Sequence, residues 1–85
     1  METIRIIMKE CRNWRGDRYV DFKEKHTGIR VGEVDRIEGR YRIFCGPSGW
    51  LSEIGTRTNK QSAIKFLQDQ IRAGYKKPVE FKWAV

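Results

Sequence analysis

Apolar residues recur at every second position through most of this chain and change to a helical period only once. In "TIRIIMKE" (residues 3–10) Ile4, Ile6 and Met8 alternate with Arg5, Ile7 and Lys9, the period of two that marks a strand with one covered face. The alternation resumes in "RYVDFKEK" (18–25), with Val20 and Phe22 opposite Tyr19, Asp21 and Lys23. In "GIRVGEV" (28–34) Ile29 and Val31 point inward, and Gly32 is placed for a bulge that lets Val34 point inward as well. "RYRIFC" (40–45) sets Tyr41, Ile43 and Cys45 against Arg40, Arg42 and Phe44. It is joined to "GWLSEI" (49–54) through "GPSG", where Pro47 suits the first central turn position and Ser48 the second. "VEFKWAV" (79–85) alternates Val79, Phe81, Trp83 and Val85 with polar or small residues, which predicts a last strand and places Trp83 in the core.

The period changes in "TNKQSAIKFLQDQIRAG" (58–74). Ala63, Ile64, Leu67 and Ile71 form one helical stripe, Thr58 and Gln61 have the spacing of a capping box, and Gly74 is placed to end the helix. Turn formers occupy "RNWRGD", "HTG" and "DRIEG" between the strands. Short links predict antiparallel neighbours. The expected architecture is α+β, one small domain over residues 1–85: an antiparallel meander of four to five strands with one α-helix, about 59–73, packed on one face. One helix covers one face, so the other face is where function is first sought.

Charge sharpens that picture. With 18 Lys and Arg against 11 Asp and Glu the net charge is +7 and the isoelectric point about 9.8, a balance that points to an anionic partner, most often nucleic acid. Apolar residues at 39% are enough for a core, and the mean hydropathy of -0.70 implies a strongly polar surface. No run approaches the ~20 apolar residues of a membrane span. "METIRIIMKECR" lacks the basic start, apolar run and small-residue cleavage site of a signal peptide. A cytoplasmic protein without membrane contact is therefore expected, with Cys11 and Cys45 as free thiols.

Chemistry changes little. His26 is the single histidine and sits in a turn, so neither a metal site nor a nucleophile–base pair is expected, and "GPSG" lacks the lysine and following helix of a phosphate-binding loop. We expect no enzyme, no cofactor and no metal. The informative residues are arginines mixed with aromatics: Arg12, Trp14, Arg15 and Arg18 in one loop; Arg40, Arg42, Phe44 and Trp50 across a hairpin; and Arg57 and Lys60 at the helix start. Guanidinium groups hold phosphates bidentately and rings beside them stack on bases.

Gly39 and Tyr41, Gly55 and the helix opening "TNKQSAI" with Ala63 give about half of the chain the outline of three strands followed by a helix. That outline resembles the sheet-type DNA-binding domains of plant transcription factors and the arm-binding ends of some phage integrases. The resemblance implies that Arg40, Arg42, Phe44 and Trp50 on an open sheet face would contact DNA.

The expected function is thus a non-enzymatic nucleic-acid-binding module, DNA somewhat favoured over RNA, working through an exposed sheet face and the Trp14 loop. The alternative is a protein-interaction module, such as a small phage or mobile-element inhibitor of a host protein complex, because Trp, Tyr and Arg also dominate protein hot spots. Pairing of two copies through an edge strand, giving a homodimer, is a third expectation.

Overall fold

A computed structural model describes residues 2–46 and 49–85. Strands β1 (Ile4–Arg12), β2 (Arg18–Glu24), β3 (Arg30–Ile37), β4 (Arg40–Cys45) and β5 (Ser52–Arg57) precede helix α1 (Lys60–Gly74), and β6 (Val79–Trp83) follows it. The fold is α+β, as expected, but the sheet has six strands and is mixed rather than a meander of four to five. Its order is β5-β4-β3-β2-β1-β6, with β6 parallel to β1 and every other pair antiparallel. Short links make hairpins, but α1 is a long connection that crosses the sheet and delivers β6 to the far edge. There its backbone meets the otherwise unpaired side of β1, and Ile6 lies beside Phe81. The turn expected at Pro47 and Ser48 lies outside the described residues.

One face carries the core. Ile6, Met8, Val20, Phe22, Val34 and Ile43 from the strands meet Ala63, Leu67 and Ile71 from the helix, all buried. Gly32 makes the close approach of helix to sheet possible: a Cβ there would lie 2.9 Å from Leu67 Cδ2. The expected bulge is present between β2 and β3, at Phe22/Lys23, and Val31 and Val34 are both buried. Trp83 departs from expectation. It sits level with Met8 on β6 yet is 48% exposed: the helix packs chiefly over β3, β4 and β5, and on β6 it is Val79 and Phe81 that join the core.

The helix ends also differ from the sequence reading. The cap is Asn59, not Thr58: its backbone is extended (φ -121°, ψ 132°) and its Oδ1 accepts from the Ser62 N–H at 3.0 Å. Asn59→Ala is expected to cost about 1 kcal/mol, read as an earlier midpoint in urea denaturation. At the other end Gly74 is still helical and Tyr75 stops the helix, its own N–H donating to the Arg72 carbonyl at 3.3 Å. The Tyr75 hydroxyl donates to Glu24 Oε2 at 2.8 Å, tying the helix end to β2.

Burial first, and then the Glu24 carboxylate, push the Tyr75 phenol up to about 12. A phenol whose folded pKa exceeds its unfolded value of about 10 stabilises the fold fully below that unfolded value, and the stabilisation is lost as pH rises through about 12. Burial raises Tyr19 as well, so an ultraviolet pH titration is expected to lose a component near pH 12 in Tyr75→Phe while a second raised tyrosine remains.

Candidate nucleic-acid interface

The alternation that builds the core continues past its end. Beyond Ile6 and Met8, the next helix-side positions of β1 are Glu10 and Arg12. Before Val20 on β2 comes Arg18, after Val34 on β3 comes Arg36, and before Ile43 on β4 comes Tyr41. The strand registers line these up: Arg12 is level with Arg18, and Tyr41 with both Arg36 and Arg57. Tyr19 is level with Asp35, so the next step along that ladder brings Arg18 beside Arg36. The result is a single row, Arg12–Arg18–Arg36–Tyr41–Arg57, crossing five strands on the helix side. At a strand spacing of about 4.8 Å its ends are roughly 19 Å apart.

Helix α1 begins at Lys60 and runs away from the row, so the row is flanked by the first helical turn but not roofed by it. A pocket of about 150 Å³ lies there, lined among others by Glu10, Arg18, Arg36, Tyr41 and Lys60. Lys60 pairs with Glu10, and that hydrogen bond holds the Glu10 carboxyl below its ordinary range. Arg57 lies over the Phe66 ring, 4.2 Å from its centroid, and donates to the Thr56 carbonyl at 2.7 Å. Among the described residues, Arg12, Arg18, Arg36 and Arg57 make no ion pair with a carboxylate.

The open face is different in kind. Arg42 and Phe44 lie on it, as the alternation predicts, but Arg42 grips Glu53 through Nε at 2.9 Å and Nη2 at 2.6 Å. It also covers the Phe44 ring at 5.4 Å. The Glu53 hydrogen bond holds the Arg42 pKa above its ordinary value, and the same bond lowers that of Glu53. Nearer the middle, Asp21 accepts from Arg30 at 2.7 Å and faces Lys23 at 3.7 Å, while Arg30 also pairs with Glu33. Burial pushes the Glu33 carboxyl up, with Asp35 and Asp21 adding to the effect. Asp35 Oδ1 is buried without a hydrogen-bond partner. This face is a lattice of paired charges with an acidic centre, where the sequence reading expected a cationic platform.

The ten candidate residues therefore do not share a surface. Arg12, Arg18, Arg57 and Lys60 lie on the helix side and converge. Arg40 is exposed at the start of β4, level with Ile37, and Arg42 and Phe44 belong to the other face. Trp50 is 82% exposed between β4 and β5, away from the row. Trp14 is 88% exposed, as its polar neighbours imply, with Arg15 4.8 Å from the centroid of its ring.

Arg36 was missed because "DRIEG" reads as a turn. The turn is in fact only Glu38 and Gly39, both at positive φ (52° and 77°), the two-residue hairpin whose twist suits the sheet. That tightness draws Arg36 into the ladder. The available signal was Gly39, a residue suited to the second position of a two-residue hairpin turn.

Catalytic chemistry gains nothing from the geometry. His26 is exposed, and burial pushes the Cys45 thiol up rather than activating it. Among the described residues no three metal-ligating side chains come together, and no helix is long and apolar enough to cross a membrane. No protein-family model, curated protein or solved structure matches the chain.

Proposed function

We propose that the protein is a non-enzymatic nucleic-acid-binding module whose contact surface is the arginine row on the helix side of the sheet, not the open face. The observation that carries this is the set Arg12, Arg18, Arg36 and Arg57, aligned in the strand ladders with Tyr41 between the last two and forming no ion pair with a carboxylate among the described residues. Like charges directly opposite one another in a sheet destabilise it. Arg12 stands opposite Arg18, and a polyanion is a ligand that turns such repulsion into attraction. The +7 net charge adds long-range attraction of the same sign.

The test is a titration with labelled oligonucleotides, DNA and RNA, at rising salt. Phosphate contacts release counterions, so the logarithm of the binding constant is expected to fall linearly with the logarithm of salt concentration. No binding at low salt, or affinity indifferent to salt, rejects the reading.

A second reading, a protein-interaction module, is favoured by Trp50 and Ile54, exposed at 82% and 38% beside and on the edge strand β5. Retention of a protein partner after nuclease treatment, abolished in Trp50→Ala, would select it.

A further inference from the structure

We infer that the row takes single-stranded rather than duplex nucleic acid, with one base stacked on Trp14. This rests on the proposed function and narrows it.

The first reason is the layout of the cations. They form one file about four strand spacings long, bordered on one side by the first turn of α1. A duplex presents two phosphate backbones separated by a groove about 12 Å or 6 Å wide, and a single file of cations can follow only one of them. Across the helix from the row, the core side of the sheet is filled by Ala63, Leu67 and Ile71 and their partners. That stretch carries apolar side chains where a second file of cations would lie. A row of this length suits about four nucleotides, the lower end of single-strand site sizes.

The second reason is Trp14. The loop that carries it leaves β1 directly after Arg12, at one end of the row, and returns at Arg18. It is pre-shaped. Asn13 Oδ1 accepts from the N–H groups of Arg15 at 2.9 Å and Asp17 at 3.0 Å. The Asn13 N–H donates to the Asp17 carbonyl and the Gly16 N–H to the Asn13 carbonyl, each at 2.9 Å. Gly16 takes the left-handed φ of 83° that the turn requires. An indole held out on a fixed turn, with a guanidinium at 4.8 Å from its centroid and most of its surface open to solvent, has no folding partner left to find. Bases within a duplex already stack on their neighbours, whereas those of a single strand are free to stack on a protein ring. The arginine file would hold the sugar–phosphate backbone while the ring takes the base at its end.

The experiment compares a labelled single-stranded oligodeoxyribonucleotide of about ten residues, the matching RNA strand and the matching duplex, by fluorescence anisotropy at low salt. Wild-type protein and Trp14→Ala are each measured. Wild-type protein is expected to bind the single strands at least about tenfold more tightly than the duplex. Trp14→Ala is expected to bind the single strands about tenfold or more weakly, the order found for removing one stacked base, with little change on the duplex. The salt slope should stay unchanged, near −3 for about four phosphates on a single strand, because the ring contacts no phosphate. Circular dichroism checks that the exposed substitution leaves the fold intact. Equal or tighter binding of the duplex, or an unchanged single-strand affinity in Trp14→Ala, overturns this inference while leaving nucleic-acid binding standing. Failure of every oligonucleotide to bind overturns both.

Discussion

Alanine in place of Phe22 is expected to remove about 3–5 kcal/mol of stability. Phe22 is fully buried and meets the edge of Phe81 with ring centroids 6.2 Å apart and an interplanar angle of 71°. Through this pair the central strand β2 and the returning strand β6 share one core. A domain of this size has about 4–13 kcal/mol in total, so one large cavity takes a substantial part of it. Urea denaturation followed by far-ultraviolet circular dichroism measures the loss directly. A cost below about 1 kcal/mol would mean that β6 does not pack against Phe22.

The second large effect concerns the row. Replacing Arg12, Arg18 and Arg36 together with glutamine is expected to weaken nucleic-acid binding on the order of 100-fold at low salt, since charge-assisted hydrogen bonds are worth about 1.5–3 kcal/mol each and only part of that is regained by the amide. The salt slope should fall by about 2 on a single strand, roughly 0.7 for each phosphate that is no longer neutralised. Folding should move the other way. Arg12 and Arg18 face one another across β1 and β2, so removing like charges relieves repulsion, and the thermal midpoint is expected to stay level or rise. Weaker binding in a protein at least as stable separates a binding role from a structural one. The corresponding change on the open face, Arg42→Gln, breaks a pair with Glu53 and should leave binding within about twofold.

How much of this was legible in the sequence varies from element to element. The strand over residues 40–45 could be assigned face by face, because an unbroken alternation of Tyr41, Ile43 and Cys45 with Arg40, Arg42 and Phe44 admits one register relative to the core. The helix was legible for a similar reason: Ala63, Leu67 and Ile71 leave one stripe to bury. Its cap was misplaced by one residue because Thr58 and Asn59 are both good caps, and only the backbone angles distinguish them. Trp83 was placed inside because alternation tells which side a residue faces, not whether anything covers that side.

The candidate site shows the same division more sharply. Trp14 is exposed, in keeping with the polar residues on either side of it. The sequence groups Arg12 and Arg18 in a loop and Arg40 and Arg42 on a hairpin, but does not tell which of them share a face. Arg42 is neutralised by Glu53, which comes from the neighbouring strand. Arg36 and Arg57 are far from Arg12 along the chain and join its row only through the ladders.

The chain's own pattern determined which segments are strands, where the helix lies, most but not all of the core (Ile29 and Trp83 are exposed), and that the molecule is strongly cationic. These follow from local periodicity and from charge, which do not depend on what packs against what. Strand order, the parallel return of β6, and the partition of arginines into paired ones on the open face and unpaired ones in the row were decided by the tertiary structure. Each depends on which distant residues stand opposite one another, and hydrogen-bond registers between strands set that in three dimensions.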